Sequence, residues 1–349
     1  MSVPGTRSAP TIVGRVTTPE SSGSIHRVSV VIPVYQGAKT LPALLAEIDS
    51  LSSGFVTTGG RDAVVSEVLL VHDHGPDRSD ETIRDLAAVY PYVRPVWLSR
   101  NFGQHAATLA GMASSGGDWI VTLDEDGQHD PREMADLLDA ALDAGATVVY
   151  GAPRNPAPHG AVRNAASRTS KRLIAGVMGG ADTSIYQSYR LVLGEIGRSV
   201  AAYAGSGVYL DVALGWVAGE VTTAPITLRE EDRASGYSYR RLLSHFWRMV
   251  LSSGTRGLRL VSVLGVILGV IGVIMAVFLT VNKIAGEDVP SGWTSLIVVI
   301  LLTSGAILFS LGVVAEYIGV AVNQAMGKPL YLIVSDPRNG PLGKRVQRS

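Results

Sequence analysis

The sequence predicts an α/β fold with a doubly wound, mostly parallel sheet, followed by interfacial amphipathic helices and two transmembrane helices. Between residues 26 and 150, β-prone apolar runs alternate with helical patterns, which is typical of βαβ units. Near the C-terminus, residues 260–282 and 289–315 form two segments without a charged residue. At about 1.5 Å rise per residue, each segment is long enough to cross a hydrocarbon core of about 30 Å.

The alternating part is expected to hold five strands and four helices. The strands are rich in β-branched residues, and the helices repeat apolar residues at spacings of three and four. Asp130 suits the N-cap of the last helix and Pro131 its first position. The expected strands are residues 28–34, 64–71, 93–98, 119–123 and 147–150, and the expected helices are residues 40–51, 80–90, 104–114 and 131–144.

Composition narrows the classes of function. The 349 residues carry zero formal net charge, so nothing indicates a bulk attraction to nucleic acid, and no nucleic-acid partner is expected. The absence of cysteine excludes disulfides, thiolate metal sites and cysteine nucleophiles. Residues 1–25 are rich in Ser, Thr, Pro and Gly without an apolar core, so we interpret them as a disordered tail and not as a secretory signal.

Basic residues flank the pair of apolar segments, and the loop between them has few. The positive-inside rule therefore places both flanks in the cytoplasm and the short loop outside, in a multi-pass protein of the plasma membrane. A further basic, apolar stretch at residues 155–180 fits either a solvated helix face or a surface that contacts lipid phosphates. The expected regions are a catalytic domain at 26–235, an interfacial helix at 236–259, two transmembrane helices at 260–317 and a cytoplasmic tail at 318–349.

A cluster of acids follows the fourth predicted strand, in the order Asp124, Glu125, Asp126. Ligands of open α/β sheets bind beyond the carboxyl ends of the strands. Carboxylates at that edge can hold a hard divalent cation, and the cation can hold a diphosphate. For a lone pair of aspartates a solvated acidic turn would be the simpler interpretation, but the neighbouring motifs favour the cation site.

Four segments in this order and spacing carry a resemblance to a known family. They are VVIPVYQGAKTL at 30–41, VHDHGPDRS at 71–79, LSRNFGQHAAT at 98–108 and LDEDGQHDP at 123–131. The chain resembles the GT-A glycosyltransferases of family 2 and, more narrowly, the polyisoprenyl-phosphate glycosyltransferases. The similarity continues through DTSIYQSYRL at 182–191, REEDRASGYSY at 229–239 and the two apolar segments, and it covers about nine-tenths of the chain.

The resemblance implies a membrane enzyme that moves a sugar from a nucleotide sugar to a polyprenyl phosphate at the cytoplasmic face, with inversion at the anomeric carbon. It implies Mg²⁺ or Mn²⁺ as the cofactor, and a tetramer as the assembly. The implied catalytic residues are Asp182 and Asp126, and the implied metal ligands are Asp124, Asp126 and Gln128. The implied donor-binding residues are Pro33, Tyr35, Asp73, Asp124 and Arg154, and the implied acceptor-phosphate residues are Arg190 and Arg233.

Simpler roles remain open for several of these residues. Tyr35 also fits a core tyrosine, Asp73 a turn or cap residue, and Asp182 a helix N-cap. Arg154 and Arg190 also fit surface ion pairs. His105 and His129 are interpreted as structural or supporting residues, because Mg²⁺ and Mn²⁺ prefer oxygen ligands.

Three motifs depart from the family pattern. Gln36-Gly37 stands where the family often has Asn-Glu, so an acid that could read the base is missing. The second motif is His72-Asp73-His74-Gly75, with one of the usual two acids, and Tyr239 replaces the lysine of the Gly-x-Ser-Lys-Tyr motif. These departures bear on the donor more than on the reaction. The rival interpretations are a transferase with a glycan or glycolipid acceptor and a non-catalytic membrane scaffold.

Overall fold

The computed structural model describes residues 25–154, 185–205, 209–229 and 292–340, together with separate positions between 265 and 285. Several predictions lie outside the described residues. They are the tail at 1–24, the basic stretch at 155–180, the interfacial helix at 236–259, Asp182 and Arg233.

The alternating strands and helices predicted for the first 150 residues are present, with bounds that differ by a few residues at most. Two elements agree with the prediction at both ends, namely the third predicted strand and the third predicted helix. The elements are β1 (His26–Val34), α1 (Leu41–Ser52), β2 (Phe55–Val56), β3 (Asp62–His72), α2 (Ser79–Val89), β4 (Val93–Leu98), α3 (Gln104–Ser114) and β5 (Trp119–Thr122).

The fourth predicted helix begins with a 3-10 turn, Pro131–Glu133, in which the Asp130 side chain accepts the Arg132 N–H at 2.9 Å. The fifth predicted strand is also present, and short elements that were not predicted from the sequence come after that strand. The remaining elements are α4 (Met134–Ala144), β6 (Val148–Pro153), β7 (Arg190–Leu193), α5 (Gly194–Tyr203), α6 (Leu210–Val217), β8 (Val221–Ile226), α7 (Trp293–Ala325) and β9 (Ile333–Val334).

The strands form one sheet in the order β8-β6-β7-β5-β1-β3-β4-β9, with β2 paired to β3. The sheet is mixed but mostly parallel, as predicted, since six of its nine strands run in one direction: β8, β6, β5, β1, β3 and β4. β7 is antiparallel to both of its neighbours, and β2 and β9 are antiparallel to β3 and β4. β7 begins at Arg190, beside Tyr150 of β6, and runs antiparallel to that strand.

Helices cover both faces of the sheet, as a doubly wound fold requires. The side chains of β1 alternate between the two layers, with Val30 and Ile32 in one cluster and Val31 in the other. The first layer contains α1, α2 and α4, and the second contains α3, α5 and α6. This packing fixes the strands, so the loops at their carboxyl ends extend from a rigid base.

α7 is a helix of 33 residues. Its segment Thr303–Ala325, with a mean hydropathy of 1.9, is the one helix in the described part of the chain that is long and apolar enough to cross a membrane. The described positions between 265 and 284 are helical and exposed, but a second spanning helix is not established. α7 ends ten residues beyond the predicted segment, because Glu316 interrupts the uncharged run without interrupting the helix.

The chain returns to the sheet after α7. Leu98 and Trp97 of β4 pair with β9, and the Ser99 N–H donates to the Leu332 carbonyl at 2.9 Å. Asp336 accepts two hydrogen bonds from Arg84, at 2.9 and 2.8 Å. The C-terminal end of α7 thus lies near the edge of the sheet where the parallel strands β1, β3 and β4 end.

Candidate active site

A pocket opens at the carboxyl edge of the sheet, between the ends of β1 and β5 and the first turns of α3 and α6. This is the edge at which open α/β sheets bind ligands. The pocket combines a carboxylate, an arginine, hydroxyl groups and aromatic rings. Its lining residues are Pro33, Gln104, His105, Thr108, Thr122, Leu123, Asp124, Tyr186, Gln187, Ser188, Arg190, Tyr209 and Asp211.

Asp124 lies in the pocket because it comes two residues after the end of β5. One of its carboxylate oxygens accepts the Gln104 side-chain amide at 2.6 Å, and the other accepts the Ser188 hydroxyl at 2.5 Å. These bonds fix the direction of the carboxylate. Since a carboxylate has about four lone-pair positions, Asp124 keeps capacity for a cation.

Asp126 lies on the turn that follows, and its side chain is exposed and does not line the pocket. Its carboxylate accepts the backbone N–H of Gln128 at 3.0 Å, and Gly127 has a φ of +75°. Among the described residues, no group of three or more His, Cys, Asp or Glu side chains is close enough to hold a metal ion. A cation here would therefore need ligands from the amide of Gln128, from water or from a substrate.

Glu125 connects this turn to the loop after β1. Its two carboxylate oxygens accept the backbone N–H groups of Tyr35 and Gln36, each at 2.9 Å. Burial raises the pKa of the Glu125 carboxyl to about 7, against the lowering effect of the two amides. Glu125 was not predicted as a site residue, because the middle acid of such a cluster carries no spacing signal.

Asp73 performs a similar task for the loop that precedes α3. It is 3% exposed and accepts the backbone N–H groups of Phe102 at 2.7 Å and Gly103 at 2.8 Å. Burial is the main effect on the Asp73 carboxyl and raises its pKa. These contacts give Asp73 a structural role in holding the loop before α3, and the predicted contact with the donor stays a prediction.

Tyr35 and Pro33 sit at the end of β1. Pro33 lines the pocket, and Tyr35 is 42% exposed, so the alternative of a core tyrosine is wrong. Gly75 packs behind Tyr35, since a Cβ at Gly75 would lie 1.3 Å from the Tyr35 carbonyl oxygen. The ring is therefore available to a ligand while its backbone is held in place.

Arg190 begins β7 and lies at the floor of the pocket. Its guanidinium forms an ion pair with Asp211, whose carboxylate also accepts the Tyr150 hydroxyl at 3.0 Å. Arg190 is 4% exposed and Asp211 is 3% exposed, so the alternative of a surface ion pair is wrong for Arg190. Burial raises the pKa of the Asp211 carboxyl, and the charge of Arg190 opposes that rise.

Asp211 and Tyr150 were not predicted as site residues. The one signal in the sequence is that Asp211 is a lone acid within an apolar helical pattern, YLDVAL. Such a residue is either at an exposed position or paired inside the core, and spacing alone does not distinguish the two.

The two histidines differ in position. His105 lines the pocket with its ring 4.0 Å from the Tyr209 ring. His129 is 5% exposed, its ring lies 5.0 Å from that of Tyr189, and burial lowers its pKa. A neutral, packed His129 agrees with the structural interpretation. Arg154 is exposed at the end of β6 and does not line the pocket.

Comparison with known proteins identifies related sequences. The sequence profile described as glycosyl transferase family 2 matches residues 29–191. An undecaprenyl-phosphate 4-deoxy-4-formamido-L-arabinose transferase of Enterobacter sp. (strain 638) is 32% identical over 315 residues, which is 89% of this chain and 93% of that protein. The protein of the same name from Pseudomonas fluorescens (strain SBW25) is 30% identical over 324 residues, 91% of this chain and 92% of its own length.

Among solved structures, the chain is similar to glucosyl-3-phosphoglycerate synthase from Mycobacterium tuberculosis in complex with Mn²⁺, uridine diphosphate and phosphoglyceric acid. The TM-score is 0.48 at 16% sequence identity, over 66% of this chain and 78% of that one. At this distance the roles of individual residues must be argued from the residues themselves.

Proposed function

Because the chain belongs to glycosyl transferase family 2, we propose that it moves a sugar from a nucleotide sugar to a polyprenyl phosphate at the cytoplasmic face of the plasma membrane. The relatives named for transfer to undecaprenyl phosphate cover about nine-tenths of the chain, including its C-terminal apolar part. A glycan acceptor or a scaffold without activity would account for the first 200 residues but not for similarity of that extent.

One structural observation carries the proposal. The pocket that contains Asp124 and the C-terminal end of α7 lie at the same edge of the sheet. A Cβ built on Gly205, between α5 and α6, would lie 2.9 Å from the side-chain nitrogen of Gln324 at the end of α7. This proximity supports a site where a water-soluble donor meets an acceptor whose phosphate lies at the membrane surface.

We assign the cation site to Asp124, Asp126 and Gln128, with Mg²⁺ or Mn²⁺ as the ion. The candidate donors are all oxygen atoms, which suits a hard cation. Mg²⁺ is commonly held by one or two carboxylates together with substrate phosphates, so two aspartates are a sufficient protein contribution. When bound, the cation neutralises negative charge that develops on the departing diphosphate.

The reaction that follows is a single displacement. An oxygen of the acceptor phosphate forms a bond to the anomeric carbon, and the bond from that carbon to the diphosphate oxygen breaks. The nucleoside diphosphate leaves with the electron pair, which inverts the anomeric centre. The acceptor oxygen is already anionic near neutral pH, so no strong base is needed, and Asp182 is proposed to orient the acceptor.

The remaining residues are assigned to binding. Gln104 and Ser188 fix the carboxylate of Asp124, and the exposed ring of Tyr35 packs on the base. Arginine suits phosphate groups because its planar fork binds two oxygens at once. The proposed phosphate contacts are Arg154, Arg190 and Arg233, with Asp73 and Pro33 completing the donor pocket.

The test uses membranes from cells that express the full chain, with labelled nucleotide sugars, Mg²⁺ or Mn²⁺, and undecaprenyl phosphate. The proposal expects a labelled lipid that forms only with a divalent cation and is absent with an Asp126→Ala variant. A broad donor panel that yields no cation-dependent labelled lipid would reject it. Cross-linking in membranes tests the tetramer, and protease access to residues 326–349, beyond the end of α7, tests the cytoplasmic position predicted for the tail.

A further inference from the structure

We propose that Glu125 is a positioning residue that couples recognition of the donor's diphosphate to recognition of its base. The acid turn, residues 124–128, and the nucleoside loop, residues 35–38, would then respond to a donor as one unit. This inference rests on the proposed function and adds a role for the one acid of the cluster that the reaction itself does not use.

The geometry is a two-pronged contact between a side chain and a backbone. Glu125 accepts the N–H groups of the consecutive residues Tyr35 and Gln36, one on each oxygen, at 2.9 Å each. Two parallel hydrogen bonds to one carboxyl group fix the orientation of both partners, and they are strongest when that group is ionised. The backbone of the nucleoside loop is therefore held by the acid turn.

Gly37 shows that the space between the two loops is closed. A Cβ at this position would lie 2.6 Å from a carboxylate oxygen of Glu125 and 3.0 Å from Leu41 Cγ. A residue with a side chain would thus push Glu125 away from its two amides. Gly37 and Glu125 therefore form a matched pair, since the contact of Glu125 with its two amides requires the absence of a side chain at position 37.

Ala38, the last residue of the nucleoside loop, is fixed by the loop between β3 and α2. The N–H of Ala38 donates to Asp77 at 3.0 Å, and Asp77 also accepts the Ser79 hydroxyl at 2.6 Å. The far end of the loop is therefore anchored to the start of α2, independently of the acid turn. A movement of the acid turn would therefore displace Tyr35 and Gln36 at the start of the loop, whereas Ala38 at its end would stay in place.

Tyr35 is the expected point of contact with the base, and its own N–H is one of the two that Glu125 holds. Asp124 and Asp126, on either side of Glu125, are the proposed cation ligands. When Asp124 and Asp126 bind the cation and its diphosphate, the position of the acid turn changes, and Glu125 moves with it because it belongs to the same turn. The ring of Tyr35 is thereby oriented for the base when the diphosphate is in place.

The experiment measures binding of UDP, GDP, ADP, CDP and TDP with Mn²⁺ to the full chain in detergent, and follows the nucleotide that the unaltered protein binds most tightly. Glu125→Ala is expected to weaken binding of that nucleotide about tenfold or more, since both hydrogen bonds that position the nucleoside loop are lost. Binding of Mn²⁺ alone is expected to change less than about twofold, because Asp124 and Asp126 remain. The nucleotide affinity of Glu125→Gln should lie between those of the unaltered protein and Glu125→Ala, since the amide oxygen accepts only one of the two N–H groups.

A double-mutant cycle with Tyr35→Ala separates positioning from general loss of structure. Tyr35→Ala should weaken nucleotide binding strongly in the unaltered protein and by less than about twofold in the Glu125→Ala background, because neighbours in one network are not additive. In turnover, Glu125→Ala should raise the KM for the nucleotide sugar with kcat little changed. The exposed Glu195 supplies a matched control, Glu195→Gln, which should leave all of these quantities unchanged.

Each contrary result has a definite meaning. Additive losses in the cycle, equal losses of Mn²⁺ and nucleotide binding, or a Glu125→Gln variant that behaves like the unaltered protein would overturn the inference alone. If the unaltered protein bound none of the five nucleotides with Mn²⁺, the proposed function would fail first and the inference with it.

Discussion

The two sides of the pocket stabilise their carboxylates in different ways. On the donor side, formed by the loops after β1, β3 and β5, Glu125 and Asp73 each accept a pair of backbone N–H groups. On the opposite side, formed by β7 and α6, Asp211 is paired with the side chains of Arg190 and Tyr150. The first arrangement fixes loops, and the second fixes a charge.

The difference bears on what each side tolerates. A backbone amide carries no net charge, so loss of a carboxylate on the donor side leaves no buried charge unpaired and weakens the attachment of a loop by degrees. In a buried ion pair, removal of one partner leaves a charge without compensation, which costs far more than the pair contributes. The donor side is therefore adjustable, whereas the side around Arg190 behaves as a rigid unit.

The largest effect is expected from the carboxylate between the two sides. Asp124→Asn should lower transfer activity about 10³-fold or more, because a neutral amide holds a divalent cation much more weakly than a carboxylate does, and the cation offsets the leaving group's charge. The protein should remain folded, since the Asn oxygen can still accept a hydrogen bond from Gln104 or Ser188. Activity assays in membranes with Mn²⁺ give the first quantity, and thermal denaturation in detergent gives the second. Activity near that of the unaltered protein would remove Asp124 from the site.

A stability measurement tests the rigidity assigned to the side around Arg190. Arg190→Leu should lower the free energy of unfolding by about 3–5 kcal/mol, because Asp211 is left buried without a counter-charge. The double variant with Asp211→Leu should recover most of that loss. Arg132→Leu, at an exposed position, is the control and should change stability by less than about 0.5 kcal/mol. Equal stability of the single and double variants would show that the pair is not a unit.

The pH dependence of stability probes the donor side. The Glu125 carboxyl has a pKa of about 7 in the folded protein against an ordinary value of 4.5. A raised folded pKa means that the folded state binds the extra proton between these values, so Glu125 stabilises the fold below about pH 4.5 and that contribution is lost as the pH rises through about 7. In EDTA the loss should reach about 3 kcal/mol at most, and Glu125→Gln should remove it. A pH profile that is the same in both proteins would contradict the assignment.

The smallest effect is expected at the other donor-side carboxylate. Asp73→Asn should lower the free energy of unfolding by about 1–2 kcal/mol, since an amide oxygen accepts only one of the two N–H groups from Phe102 and Gly103. This loss should be clearly smaller than that of Arg190→Leu. Denaturation of the two variants under the same conditions provides the comparison, and a loss at Asp73 as large as that at Arg190 would abolish the distinction between the two sides.

Local signals in the sequence were sufficient for the elements with a strong period. β4 and α3 agree with their predictions because a short apolar run and a small-residue helical pattern are each bounded by turn residues, including Gly103 with a φ of +91°. The same signals identified the position of Asp124, because it directly follows a buried strand. These features depend on neighbours along the chain.

The features that were not predicted depend on residues far apart. β7 has four residues and β9 has two, and each exists as a strand only through its pairing with β5, β6 or β4. Asp211 is 21 residues from Arg190, and Glu125 is 90 residues from Tyr35. A local sequence pattern carries no information on such partners, because the tertiary fold determines which distant residues come into contact.

The return of the chain after α7 has a practical consequence. β9 covers the backbone of β4, which would otherwise be an outer strand with open hydrogen-bonding groups that invite association with another sheet. Variants truncated before residue 333 would expose that strand and should precipitate readily. Purification tags are better attached after residue 340, where they leave the covering strand and the Arg84–Asp336 contact intact.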